Sequence, residues 1–356
     1  MKMIGKVLTL LCPYTFAAKA TTDATVIFNG CYTTPNEYFK FEAGWGNNVI
    51  NRVSVKDKIT DKGEIEEVTL IIPSEFTYNG EKAQTLIQGR AFKRLYNRTR
   101  PNLKVKLIFQ SKNGTYVNFP EDCARMFCDS GSIVAIDFSG INPKAQIYTT
   151  RMMFWLCNRL KNINFTNFNT SNVTNMESMF HYCCELEKLD LSNFNTKKVT
   201  NMLMLFGECN KLKDLNISSF NTRNVTTMQS MFNGCRSLKS LDLSHFDTRN
   251  VEEMAWMFDK CTSLTSLKLD KFKTEKVSDM CYMFRQCHNL QELDLSSFNM
   301  KNTKYYGDML EDCENLVYAD LPTNASAEQD AYIKGTALQA VCSQLQKHDT
   351  DLGEVI

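Results

Sequence analysis

Residues 212–237 read LKDLNISSFNTRNVTTMQSMFNGCRS, and this stretch decides the fold because it recurs. Cysteines stand at 157, 183, 209, 235, 261, 287 and 313, a constant 26-residue step. A phenylalanine column keeps the same step (Phe168, Phe194, Phe220, Phe246, Phe272, Phe298), as does a valine column (Val173, Val199, Val225, Val251, Val277). Side chains recurring at such an interval are the signature of a solenoid, in which each repeat is one coil stacked on the last.

The unit has two halves. Leu212, Leu215 and Ile217 alternate with polar residues, the period of a strand buried on one face. Val225, Met228, Met231, Phe232 and Cys235 then follow at steps of three, three, one and three, the stripe of one helical face. A threonine precedes that stripe in five coils (Thr170, Thr196, Thr222, Thr248, Thr274), where its hydroxyl is expected to cap a free amide of a first helical turn. The pattern therefore predicts an α/β solenoid whose coils each contain one short strand and one short helix.

LEKLDLSNFNTKKVTNM at 186–202 and MFNGCRSL at 231–238 narrow the class. Their L-x-x-L-x-L spacing, continued through N-F-N-T-x-x-V-T-x-M and M-F-x-x-C, resembles the BspA-like leucine-rich repeat surface proteins. The resemblance covers residues 151–321. It implies a curved solenoid displayed on a cell or particle surface for binding.

Outside those repeats the register loosens. Ile136 and Phe138 precede Ile163 and Phe165 by a 27-residue step, so a divergent coil is expected from about residue 125. Val105 and Leu107 fall 31 before that pair, and Val68 and Leu70 a further 37 back, with Ala91-Phe92 standing for the later Met-Phe. Residues 21–124 are read as an N-terminal β-rich cap or as irregular coils, residues 125–321 as the solenoid, and residues 322–356 as a C-terminal helical cap. That helix would start at Asn324 or Ser326 and carry Ile333, Ala337, Leu338, Val341, Cys342 and Leu345 over the last coil, because an uncapped coil exposes its apolar face.

Residues 1–20 form a candidate signal peptide: Lys2 and Lys6 precede an apolar run from Val7 to Ala18, and Ala18-Lys19-Ala20 is a small-x-small site. The run is interrupted by Pro13 and Tyr14, and a first β-strand is the alternative. No later stretch has the ~18 consecutive apolar residues of a membrane span. The expected location is therefore secreted or cell-surface, or cytoplasmic or particle-associated if residues 1–20 are retained.

The cysteine column invites a disulfide or metal framework. Seven is odd, however, and each cysteine takes the last inward position of its stripe, where a free thiol acts as a small buried hydrophobe. Cys123 with Cys128, and Cys12 with Cys31, are the pairs most open to bonding. The clusters His181, Cys183, Cys184 and Cys281, Cys287, His288 lack the paired C-x-x-C spacing of a structural zinc site. No cofactor is expected. The four histidines occupy unrelated repeat positions, and no nucleophile elbow, phosphate-binding glycine loop or H-E-x-x-H pair occurs, so no enzyme is expected.

Binding chemistry is expected on the outward strand face. One column there is Asn164, Asp190, Asn216, Asp242, Lys268, Asp294, and another is Asn162, Lys188, Asp214, Ser240, Ser266, Glu292. The candidate residues are Lys188, Asp190, Asp214, Asn216, Asp242, Lys268, Glu292 and Asp294, facing a protein or glycan ligand. The same Asn/Asp/Ser ladder also reads as coil edges satisfying themselves. Residues 82–120 carry nine basic side chains and no acidic one in a chain of formal net charge +1. Arg90, Arg94, Arg98, Arg100, Lys104 and Lys106 thus form a candidate anion-binding patch, with a solvated strand face as the alternative. Nucleic acid is not the expected partner. Two functions stand: a surface-displayed or secreted adhesive repeat protein, and a non-secreted scaffold with assembly contacts in its N-terminal part.

Overall fold

The computed structural model describes residues 22–30, 38–45, 47–56, 65–320, 322 and 324–335. The segment read as a signal peptide, Cys12, Cys31 and the cap residues from Ala337 onward lie outside them. In chain order the strands are β1 (Thr22–Ile27), β2 (Phe39–Ala43), β3 (Val49–Val55), β4 (Ile65–Pro73), β5 (Glu75–Tyr78), β6 (Glu81–Gln84), β7 (Leu86–Ile87), β8 (Lys104–Gln110) and β9 (Ile133–Asp137). One three-residue strand per repeat follows: β10 (Asn162–Asn164), β11 (Lys188–Asp190), β12 (Asp214–Asn216), β13 (Ser240–Asp242), β14 (Ser266–Lys268), β15 (Glu292–Asp294) and β16 (Tyr318–Asp320).

A parallel sheet in the order β1-β4-β8-β9-β10 leads into the repeats, where β11 pairs with β12, β13 with β14 and β15 with β16. Register within these later pairs is the 26-residue step itself, as in Leu189 opposite Leu215. Valine, leucine and isoleucine at alternate places drive the pairing, since Val68, Leu70, Ile72 and Val105, Leu107, Phe109 are all buried on the inner side. Val68 pairs with Val105 at the 37-residue step read from the sequence. The 31-residue step does not hold: Leu107 pairs with Ile136, a 29-residue step, because the register slips at Val134. A β-bulge of this kind inserts one residue on one strand and resets the alignment. The antiparallel pair β2–β3 continues to β7 and packs on the core through Phe39, Phe41, Ile50 and Val53, and the pair β5–β6 adds the buried Phe76.

The second half of each coil is not a helix. It is a run of tight turns carrying two residues of positive φ, four apart, as at Ser178 and Tyr182 (54° and 63°) and at Trp256 and Lys260 (55° and 59°). In the coil of residues 176–183, Met179 N donates to Met176 O and Cys183 N to Phe180 O, each closing a turn whose third residue has φ > 0, the type II arrangement. A left-handed residue breaks an α-helix. The turns also direct amides toward the neighbouring coil: Ser178 N donates to Leu203 O, Phe180 N to Leu205 O and Tyr182 N to Gly207 O, at 2.8–3.0 Å. Every following junction repeats these three bonds, so the turn flank is a continuous ladder. Among the described residues, the strand flank has no strand pairing at β10/β11, β12/β13 or β14/β15.

The threonine column also differs from expectation. Thr196 Oγ1 does not cap its own segment; it accepts from Asn221 N (2.7 Å) and donates to Asn221 O (2.9 Å) in the next coil. Thr170, Thr222, Thr248 and Thr274 do the same, and all five are buried. The core between the flanks holds the Phe168–Phe298 column and a second one: Phe92, Phe127, Phe154, Phe180, Phe206, Phe232, Phe258 and Phe284 stack ring on ring, 5.3–5.8 Å between centroids. Such aromatic pairs contribute about 0.5–1.5 kcal/mol each beyond their burial.

At the last coil, Met300 takes the threonine position. Residues 327–335 form helix α1, begun by a capping box in which Ser326 N donates to Gln329 Oε1 (2.8 Å) and Gln329 N to Ser326 Oγ (3.2 Å). Gln329 Nε2 donates to Met300 O and Thr303 O, and Ile333 is buried against the core. No helix among the described residues is long and apolar enough to cross a membrane.

Candidate functional site

The strand flank brings all eight candidate residues to one surface. Lys188, Asp190, Asp214, Asn216, Asp242, Lys268, Glu292 and Asp294 are exposed on either side of the inward central residue of each strand. Much of their polar capacity is used within the coils. Oδ1 of Asp190, Asn216, Asp242 and Asp294 accepts the amide two residues on, from Ser192 (3.0 Å), Ser218 (3.2 Å), Ser244 (3.0 Å) and Ser296 (2.8 Å). These are Asx turns that end each strand. Lys188 bridges to Asp214 (2.9 Å) and Lys268 to Asp242 (3.2 Å) across coils. The Ser192 amide and hydroxyl hold the Asp190 carboxyl below its ordinary range. The Ser244 hydroxyl and amide, with Lys268, do the same for Asp242. The face is therefore an ordered row of ionised and amide groups.

The six basic candidates are not brought together. Arg90 and Arg94 sit at left-handed positions of the turn flank (φ 65° and 61°), with Arg94 Nε 3.4 Å from Asp129. Lys104 and Lys106 lie on β8, where the burial alternates as the sequence pattern implied, and Lys106 pairs with Glu67. Arg98 and Arg100 fall in the connection between the flanks. Sequence reasoning missed two further cations at the β8 end: Arg159 and Lys161 join Lys104 and Lys106 around a cleft of about 630 Å³ that also holds Glu67 and Glu185. The Arg159 guanidinium donates to Pro101 O (2.6 Å), Asn102 O (3.0 Å) and Leu103 O (3.4 Å), pinning that connection. Only a fold brings positions so distant in the chain to one cleft; nothing in local spacing signals it.

The seven column cysteines are buried free thiols. Each donates to the carbonyl of a phenylalanine in the preceding coil, as Cys235 Sγ to Phe206 O (3.3 Å) and Cys313 Sγ to Phe284 O (3.1 Å). Burial pushes the Cys313 thiol up to about 12 and raises the other six as well. Cys123 and Cys128 are also unbonded thiols. His181 stacks on Tyr182 (4.4 Å), and burial lowers its imidazole to about 4. No group of histidine, cysteine and carboxylate side chains among the described residues could hold a metal ion.

A second surface emerges on the turn flank. Met152, Trp155 and Leu156 of one coil, Tyr182 and Met204 of the next two, and Trp256 and Tyr282 further along are all partly or well exposed there. Trp256 stacks on Tyr282 (5.5 Å), whose ring carries the Arg285 guanidinium 4.6 Å from its centroid. Arg285 in turn grips the buried Asp259 through two bonds of 2.8 and 3.0 Å. Local spacing does not group these positions, which come together only when the coils stack.

A family model described as "Mycoplasma protein of unknown function, DUF285" matches residues 121–241 and 235–330. No curated protein matches the chain. Among solved structures it is similar to the T. pallidum leucine-rich repeat protein TpLRR (17% identity, 72% of this chain and 90% of that one, TM-score 0.32). It is also similar to a leucine-rich repeat protein of Eubacterium ventriosum (16%, 81% and 84%, TM-score 0.29). A third is Toll in the Drosophila Toll–Spatzle complex (18%, 74% and 37%, TM-score 0.30). The solenoid assignment rests on the coil geometry described above.

Proposed function

The chain belongs to the DUF285 family, and from that premise we propose a non-enzymatic, BspA-like leucine-rich repeat protein, secreted or displayed on a surface, that binds a protein or glycan along its strand face. One observation carries the reading. The outward residues of the paired strands β11–β12 and β13–β14 set polar groups one strand spacing apart, ~4.8 Å, fixed by Asx turns and cross-coil ion pairs. Preorganised hydrogen-bonding groups suit a polar ligand, since little side-chain order is lost on binding.

A protein and glycan array probed with the intact chain tests this. A ligand whose capture is abolished by the double variants K188E/D214K and D242K/K268E supports the strand face; capture unchanged in both overturns it. Export is tested separately at the natural N-terminus: a start near Thr21 supports it, and retained Met1 opposes it.

A second reading rests on Lys104, Lys106, Arg159 and Lys161, whose cleft suits an anionic group. Binding there would weaken steeply with salt and be lost in K104Q/K161Q, whereas salt-independent binding removes it.

A further inference from the structure

The turn flank carries a charge pattern that runs from one end of the stack to the other. Its nine left-handed residues at the first turn are Arg90, Arg125, Met152, Ser178, Met204, Ser230, Trp256, Tyr282 and Asp308. Arg90, Lys93 and Arg94 make the first coil basic, with Arg94 3.4 Å from Asp129 of the second coil, and Asp308, Glu311 and Asp312 make the ninth acidic. Asp308 bonds to the Tyr332 hydroxyl and Asp312 to the Gln286 amide, both neutral, so the acidic end keeps its charge. Between the two ends lies the apolar and aromatic group described above.

We propose that the turn flank is a self-association surface on which a second copy of this chain packs antiparallel, about a twofold axis passing beside Met204. Met204 is the fifth of the nine positions, so a twofold axis there pairs the first coil with the ninth, the second with the eighth, and so on. Basic Arg90 and Arg94 then meet Asp308 and Asp312. Met152, Trp155 and Leu156 meet Trp256. Tyr182 projects where the opposing coil has only Ser230, Asn233 and Gly234. Met204 meets its own copy. An isologous interface demands such matching of a surface with itself, and the pattern supplies it at these paired coils except beside the axis, where Glu208 meets its own copy with Arg236 3.9 Å away as counter-ion.

The turn flank is hydrogen-bonded at every repeat junction, while the strand flank loses strand pairing at three, so the turn flank presents an unbroken backbone ladder from the first coil to the ninth. Eight coil steps give a contact length of about 38 Å. The strand face offers no comparable apolar centre among its described residues, which leaves it available for the ligand proposed above.

Sedimentation velocity of the full chain over a concentration series, at low and high salt, tests the proposal. A dimer that weakens with salt is expected. R90E/R94E and D308K/D312K should each associate at least about tenfold more weakly than the parent. Mixed together, they should recover association as a one-to-one heterodimer. M204C should form an intermolecular disulfide under mild oxidation, because the axis sets residue 204 against itself, whereas K188C on the strand face should not. Thermal melts matching the parent confirm that the variants fold. A chain monomeric at all concentrations overturns the proposal, as does a dimer that neither charge pair affects or that M204C fails to cross-link.

Discussion

Thr222 uses both hydrogen-bonding capacities of its hydroxyl on the next coil, accepting from Asp247 N at 2.8 Å and donating to Asp247 O at 3.1 Å. Replacing it with valine keeps the shape and leaves that backbone pair without its buried partner, so T222V should cost about 2 kcal/mol in urea unfolding, and T222S clearly less. The sequence made the column visible but not its direction. A periodic threonine before an apolar stripe has the composition of an N-cap, and whether its oxygen serves residue i+3 or residue i+25 is decided only when coils are stacked. The cysteine column was legible in full, because an inward, odd-numbered set beside Met and Phe leaves little choice but burial. Its thiols stay protonated where those of the unfolded chain ionise, so stability should fall as pH rises above about 8.5, the unfolded thiol value, and should be untouched below it. Native alkylation at pH 8, mapped residue by residue, should reach the half-buried Cys184 and Cys281 before any of the seven, and the column only on unfolding.

At the scale of the element, the strand half was readable and the turn half was misread for a definite reason. Successive tight turns return a side chain to the core at steps of three, and Met176, Met179, Phe180 and Cys183 meet that condition as well as a helical face does. What separates the two is the sign of φ at Ser178 and Tyr182, and serine and tyrosine give no warning of it. Only Gly234 betrays the left-handed place in its column, where its neighbours in adjacent coils are Glu208 and Lys260. A β-carbon on Gly234 would sit 2.6 Å from the Glu208 carboxyl carbon at a φ of 70°, so G234A should destabilise by about 1 kcal/mol. The reverse change at the same position two coils on, Q286G, relieves a left-handed side chain and forgoes only an exposed bond to Asp312, and should gain up to about 1 kcal/mol. Paired denaturation curves check both, and opposite signs at one structural position are the outcome a helical segment would not give, since glycine weakens a helix wherever it enters.

For the whole molecule, the 26-residue step is both a sequence period and a mechanical one. Lys213 and Lys239 occupy equivalent places, so deleting residues 213–238 removes one complete coil and rejoins the chain in register. The shortened protein should keep its far-UV spectrum and unfold cooperatively with a slightly smaller m-value, because a solenoid is a sum of coils and their neighbour contacts. Removing 214–238 instead, one residue fewer, shifts the alternation by one and turns Leu241 and Leu243 outward. That variant should lose about 3 kcal/mol or more in the same urea titration. The in-register deletion also bears on both surfaces. On the strand face it removes Asp214 and Asn216 and leaves Lys188 without its ion-pair partner, so ligand capture there should weaken. On the turn flank it leaves eight coils and puts the twofold axis between two of them. Tyr182 then faces Met204 in place of Ser230 and Gly234, so self-association should weaken while folding does not, and M204C in this background should no longer cross-link. The irregular 37- and 29-residue steps at the N-terminal end resist this treatment, since Val68, Val105 and Ile133 are aligned by a bulge and long connections that no single period describes.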